Sequence, residues 1–137
     1  SYILKSPKIL IDDYAHHPKE IQAIQDSIFS LYPEKIIMAI FQPHLFSRTR
    51  DFMDEFAKTL SMFHEIVLLD IYPAREEPIK DVNSNELLNK INNNNKKLLQ
   101  KIELENHIIN SDADVIVIMG AGDISNEVEK IKNAILI

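Results

Sequence analysis

Residues 12–18 read Asp-Asp-Tyr-Ala-His-His-Pro, setting two carboxylates, a phenol and two imidazoles within six positions, directly after the apolar run Ile9, Leu10 and Ile11. Groups of this kind suit ligation of a divalent metal or recognition of an anionic ligand. A second cluster, Gln42, Pro43 and His44 followed by Ser47, Arg48, Thr49 and Arg50, adds an imidazole and two guanidinium groups. The planar fork of arginine matches a carboxylate or a phosphate. A third cluster spans residues 70–77 and holds Asp70, Tyr72, Arg75, Glu76 and Glu77. The fourth, Gly120-Ala121-Gly122-Asp123, could offer backbone N–H groups to an anion. It lacks the third glycine of the dinucleotide fingerprint, and Asp123 would repel a phosphate placed there. A tight turn with close strand-to-helix packing reads at least as well.

The elements that must position these groups follow from hydrophobic periodicity. Short apolar runs at 9–11, 35–41, 66–70 and 115–119 read as buried strands, and residues 96–102 as an ambiguous one. Between them lie helical stripes. Pro18 opens one that carries Ile21, Ile24, Ile28, Leu31 and Tyr32, and a second carries Phe52, Phe56, Leu60 and Phe63. Ser84 is expected to cap a short helix through Ile91, and residues 103–110 form another. A last helix aligns Ile124, Val128, Ile131 and Ile135. Residues 71–83 have no period of their own and form a loop long enough to be functional. The alternation predicts an α/β fold, a mainly parallel, doubly wound, twisted sheet flanked by helices. Each polar cluster then follows the C-terminal end of a strand, along the edge where open α/β sheets bind ligands.

Arg48 and Arg50 are expected in the first turn of their helix, where a cation opposes the macrodipole at about 0.3–1 kcal/mol and a bound anion would offset the cost. Residues two apart do not face the same side, so one arginine reaches a given ligand. Plainer readings stand beside these. Both arginines could pair with surface acids such as Asp51 or Asp54, His16 could be ordinary packing, and His17 could simply cap its helix. His64 and His107 read as surface residues. A metal at Asp12, Asp13, His16 and His17 is disfavoured, because consecutive positions point in different directions.

With 137 residues, 45% of them hydrophobic, one domain over residues 1–137 is expected. A net charge of −6 without a basic block argues against nucleic acid as a partner. There is no cysteine, hence no disulfide or thiolate chemistry. No apolar stretch approaches the roughly 20 residues that span a bilayer, and no signal-peptide pattern is present. These features predict a soluble, cytoplasmic chain without a membrane partner. The nearness of a buried strand to Ser1 suggests a piece of a longer protein.

Together, the motif at 12–18, Phe41-Gln42-Pro43-His44 with Ser47-Arg48-Thr49-Arg50-Asp51, Tyr72-Pro73-Ala74-Arg75-Glu76-Glu77-Pro78-Ile79, and Gly120-Ala121-Gly122-Asp123 resemble the C-terminal domain of the UDP-N-acetylmuramate:L-alanine ligases. These form a branch of the Mur ligases of peptidoglycan synthesis. The resemblance runs from about Ile9 to the end, and its first two motifs are specific to that branch. It implies a Rossmann-like C-terminal domain, the other two domains binding the UDP-sugar and ATP. It also implies ATP and Mg2+ as cofactors, and UDP-N-acetylmuramate and L-alanine as substrates. The sugar carboxylate becomes an acyl phosphate that the alanine amine attacks. No glycine-rich phosphate loop ending in lysine occurs here, so the isolated chain is expected to be inactive, with no catalytic residue and no metal ligand of its own. By motif position the resemblance places Asp13 at the nucleotide ribose and Tyr14 and His16 near phosphates or the incoming amine. His44 and Arg48 fall where L-alanine is held, Arg48 on its carboxylate. Many members carry a basic residue after the histidine of Gln-Pro-His; here Leu45 stands there, which leaves more of the recognition to Arg48.

Two other classes compete. A metal-dependent phosphoesterase built on residues 12–17 and His44 would bind divalent metal tightly and hydrolyse without a partner domain. A non-catalytic flavodoxin-like module would use the same edge to bind an anion.

Overall fold

The computed structural model describes residues 1–136. The expected strands form as β2 (Ile9–Asp13), β3 (Ile37–Phe41), β4 (Glu65–Leu68) and β6 (Val115–Met119). The ambiguous segment becomes a short β5 (Lys96–Leu98) and then a 3-10 turn, Lys101–Glu103. An edge strand that periodicity does not reveal, β1 (Tyr2–Leu4), pairs antiparallel with β2. The helices are α1 (Pro18–Leu31), α2 (Phe46–Asp51), α3 (Met53–Leu60), α4 (Ser84–Lys90), α5 (Leu104–Ile109) and α6 (Val128–Leu136), the last entered through a 3-10 turn at Asp123–Glu127.

The sheet order is β1-β2-β6-β3-β4-β5, and every pair except β1 with β2 is parallel. The crossovers from β2 to β3, β3 to β4 and β4 to β5 advance in one direction across the sheet. Right-handed connections therefore put their helices on one face, and the return from β5 to β6 puts α5 on the other. The core follows this division. Ile9, Ile11, Ala39, Phe41, Val115 and Val117 pack with residues of α1, α3 and α4, whereas Leu10, Met38, Ile40, Ile116 and Ile118 pack with residues of α5 and α6. Alternate residues of each strand thus enter opposite layers, giving the three-layer α/β domain that the periodicity predicts.

Two local readings are corrected. The stripe from Phe52 to Phe63 is not one helix: Phe52 leaves helical geometry at φ −123°, ψ 21°, and separates α2 from α3. Because α2 is six residues long, Arg50 falls in its last turn rather than its first, and Arg48, its third residue, belongs to both. The last turn favours cations, so the dipole argument for an anion fails for Arg50 and loses its force for Arg48. Asn83, not Ser84, caps α4, its Oδ1 accepting from the Glu86 N–H at 2.9 Å. Ser84 is buried and donates its hydroxyl to Leu69 O at 2.5 Å, tying α4 to the end of β4.

Phe56 is 1% exposed and packs on Phe41 with ring centroids 5.3 Å apart. Phe56→Ala is expected to lower stability by about 3–5 kcal/mol. Urea denaturation of the two chains checks this, and a loss below about 1 kcal/mol would show that the layer repacks freely.

Candidate functional site

β6 lies between β2 and β3, but the chain leaves it toward the opposite face from the one that α1 and α2 take. That reversal makes a crevice at the C-terminal end of β6. Its walls are the loops after β2 and β3, and both are tied to β6. Gln42 N–H donates to Met119 O at 3.1 Å, and Gly120 N–H donates to Asp13 O at 3.3 Å.

Gln42 is 3% exposed, and both ends of its amide are bonded. Its Nε2 donates to Asp123 Oδ1 at 2.7 Å, and its Oε1 accepts the Ile124 N–H at 3.0 Å. Lys101 also holds Asp123, at 2.5 Å. Burial pushes the Asp123 carboxyl up, but the hydrogen bonds from Lys101 and Gln42 outweigh it and hold it below the ordinary value. The Gly-Ala-Gly-Asp loop is therefore a packed turn with its acid already neutralised. The glycines are needed for that packing. Gly120 has φ +152°, and a Cβ on Gly122 would lie 2.6 Å from both Gln42 Oε1 and Tyr72 Cγ.

Beyond Gln42 the chain continues as a one-residue extension of the sheet. His44 bridges Tyr72 in parallel, with Leu45 N–H donating to Tyr72 O at 2.9 Å and Tyr72 N–H to Pro43 O at 2.8 Å. The His44 and Tyr72 rings stack at 5.6 Å and 12°. Arg48 is one helical turn on, and its Nη1 lies 3.0 Å from His44 Nδ1. A guanidinium only donates, so His44 Nδ1 accepts and the ring is the neutral Nε2–H tautomer. Burial, then the Arg48 guanidinium, then His16 push the His44 pKa below 6.5, against an opposing pull from Glu76. His16 comes from the other wall, its ring centroid 6.2 Å from that of His44. It donates Nδ1–H to Tyr14 O at 2.9 Å.

The structure thus gathers His16, His44 and Arg48. It does not bring Asp13 or Tyr14 against them. Asp13 accepts the Ala15 N–H at 2.9 Å, shaping the turn, and Tyr14 is 70% exposed. His17 caps α1, accepting from Lys19 N–H at 3.3 Å, and packs on Phe52. Arg50 turns away to Asp51 at 2.8 Å. His64 is exposed, as expected, whereas His107 is half-buried. His107 lies 2.6 Å from the buried Glu65 carboxylate, and His64 accepts the Ile37 N–H at 2.9 Å and stacks on Phe29. Among the described residues, no three metal-ligating side chains come together, which removes the geometric basis of the phosphoesterase reading. Tyr72 and Glu76 are participants to which the sequence assigns no role, although both stand in the third polar cluster and in the motif at 72–79. On the far side of Tyr72 a cleft of about 390 Å³ opens between Asp70, Gln100, Lys101 and Asp123. His44 and Arg48 stand outside it, on the open edge.

The model of the family described as Mur ligase, glutamate ligase domain, matches residues 2–122. The chain belongs to the Mur ligase family. Two relatives of this Mur ligase domain, both named UDP-N-acetylmuramate–L-alanine ligase, come from Christiangramia forsetii and Flavobacterium psychrophilum. Each is 56% identical, over 98% and 96% of this chain respectively. The domain spans 30% of the length of these curated relatives. Among solved structures, UDP-N-acetylmuramate-alanine ligase MurC of Thermotoga maritima matches with a TM-score of 0.74 at 26% identity, over 97% of this chain and 28% of that one. A single domain from a ligase of Haemophilus ducreyi shares the fold, with a TM-score of 0.65 at 22% identity, over 93% and 90%. No helix among the described residues is long and apolar enough to cross a membrane.

Two outcomes test this geometry. With its folded pKa depressed, His44 takes a proton more readily in the unfolded chain. Its contribution to stability is therefore complete above about pH 6.5 and is lost as pH falls below that value. Urea midpoints followed from pH 7.5 to 5.5 are expected to fall less for His44→Gln than for the wild type, and equal slopes would contradict the assignment. Gly122→Ala is expected to destabilise the domain by about 1–3 kcal/mol and to weaken the Tyr72–His44 ring contact, visible as a lost nuclear Overhauser effect.

Proposed function

We propose that this domain is the C-terminal part of an ATP-dependent ligase that joins L-alanine to UDP-N-acetylmuramate through an acyl phosphate, in peptidoglycan biosynthesis. Three things support the reading: family membership, the names of the relatives, and the His44–Arg48 pair on the crevice edge. The pair carries it. One of the five N–H donors of Arg48 engages His44, which leaves the rest of the fork for a carboxylate. His44 Nε2–H supplies a second, uncharged donor. A short zwitterion such as alanine needs a cation for its carboxylate and space around its ammonium. A neutral imidazole beside the guanidinium provides both without adding a second positive charge.

Asp13, Tyr14 and His16 lie on the opposing wall. In this reading they face the nucleotide and its phosphates, with Asp13 toward the ribose. ATP and Mg2+ are held mainly by a central domain outside this chain, since the chain contains no glycine-lysine phosphate loop. When bound, they activate the sugar carboxylate as an acyl phosphate. The residues of this domain bind and orient the amino acid, and closure of the edge against the other domains keeps water from the activated acyl group. Alone, the domain is inactive; in the whole enzyme it works in the cytoplasm, where its nucleotide substrates are.

The test joins this chain to its upstream domains and follows phosphate release with ATP, Mg2+ and UDP-N-acetylmuramate while L-alanine is varied. Alanine-dependent release is expected, and Arg48→Ala should raise the alanine KM by about 10²-fold or more, the loss expected of a charge-assisted contact. Release that does not depend on alanine would overturn the ligase reading. An unchanged KM in the mutant would remove Arg48 from the carboxylate.

A further inference from the structure

The helix that carries Arg48 begins badly by local rules. Leu45 occupies its N-cap position, offers no side-chain acceptor, and sits at φ 73°, ψ 135°. A branched residue in that region is strained by about 1–3 kcal/mol and persists only where its surroundings impose it. Residue 45 is held on both sides. Its N–H donates to Tyr72 O, and its carbonyl accepts from Thr49 N–H at 3.2 Å and from the buried Thr49 hydroxyl at 2.8 Å.

The missing cap comes from elsewhere in the chain. Glu76, in the loop after β4, accepts the Ser47 N–H on Oε1 at 3.0 Å and the Ser47 hydroxyl on Oε2. Those bonds, together with the Phe46 backbone and the Arg50 guanidinium nearby, hold its carboxyl below the ordinary glutamate value despite some burial. The same loop supplies Tyr72, which stacks on His44. One short segment therefore grips both ends of the His44–Arg48 pair, the ring through Tyr72 and the helix start through Glu76.

The geometry points to Glu76 as a positioning residue, a cap donated to α2 from the loop after β4 that fixes Arg48 against His44 Nδ1 and so sets the site in its donor-presenting form. Glu76 makes no hydrogen bond or ion pair with His44 or Arg48; beyond its electrostatic pull on the His44 ring, it acts through the helix start at Ser47. Its value as a carboxylate lies in having two acceptor oxygens for the two Ser47 donors, a demand that an amide meets nearly as well. A glutamine keeps one acceptor for the N–H, and its NH2 donates to the hydroxyl oxygen instead. Where this inference extends to substrate, it rests on the reading of Arg48 as the alanine carboxylate ligand.

The test uses the 137-residue chain and reads the His44 ring nitrogens by 15N NMR at a pH above 7. The wild type should show one protonated and one bare nitrogen, the signature of a single tautomer. In Glu76→Ala the two signals should converge as the tautomers mix, and Glu76→Gln should restore the split. Should Glu76→Ala fail to fold, Ser47→Ala, which keeps the backbone donor and loses the hydroxyl, should show a smaller convergence. Unmoved His44 signals in a folded Glu76→Ala chain, or in Ser47→Ala where that chain does not fold, would overturn the inference. So would Glu76→Gln behaving like Glu76→Ala, because the carboxylate would then act by charge. In the joined ligase, Glu76→Ala should raise the alanine KM about tenfold with a smaller change in kcat, and Glu76→Gln should recover most of it. If the ring signals move and the alanine KM does not, the positioning role stands and the alanine reading falls.

Discussion

The double hydrogen-bonding of β6, to β2 on one side and β3 on the other, is the constraint on which the rest of the site depends. β6 pairs in parallel with both along its whole length, from Val115 to Met119. The pairing does not stop at the strand ends, because Gly120 reaches back to Asp13 and Gln42 to Met119. Three loops that are remote in sequence are thereby fixed to one another by backbone bonds before any side chain is considered. The next step outward is the His44–Tyr72 bridge, which adds the loop after β4 to the same ladder. A side chain placed on such an extension inherits the precision of the sheet rather than the looseness of a loop.

Against that rigid base, electrostatics are arranged economically. Asp123 is satisfied by Lys101 and Gln42, Glu76 by Ser47, and Arg50 by Asp51. Arg48, on the crevice edge, is paired instead with a neutral ring. This is why a bare count of charged residues near the strand ends misleads. Glu76, the acid that the loop after β4 brings to α2, is committed to Ser47 rather than to Arg48.

How much of this is legible in the sequence differs by level. The parallel strands, the helices between them and the strand-end position of each polar cluster follow from runs such as residues 115–119 and from stripes such as Ile21, Ile24 and Ile28. Strand order does not follow, because strands buried on both faces look alike, and nothing in residues 115–119 says that they lie between β2 and β3. The edge strand β1 is three residues long and only partly buried, too short for a period. The break at Phe52 is hidden because Phe52 still continues the apolar stripe. Its consequence is larger, since it shortens the helix of Arg48 and Arg50 to six residues, so that Arg50 lies in the last turn and Arg48 in both turns. Motifs name His16, His44 and Arg48, whereas the roles of Tyr72 and Glu76 arise from contacts across 28 and 29 positions by a loop without periodicity.

The openness of the edge has its own energetic meaning. His44, Arg48 and His16 are all partly exposed, and an ion pair in that setting contributes about 0–1 kcal/mol. Millimolar binding of an amino acid needs about 4 kcal/mol. The difference must come from removing water, since the same guanidinium–carboxylate contact strengthens several-fold as the surrounding dielectric falls. A second wall closing on the crevice would do this, and it would do so only with the amino acid in place, because closure on an empty site would bury the Arg48 charge unpaired at a cost of several kcal/mol. Under the proposed reading, in which Arg48 holds the amino-acid carboxylate, the exposure of the His44–Arg48 pair would couple substrate binding to domain closure: the fixed geometry would supply selectivity, and whatever covers the pair would supply affinity.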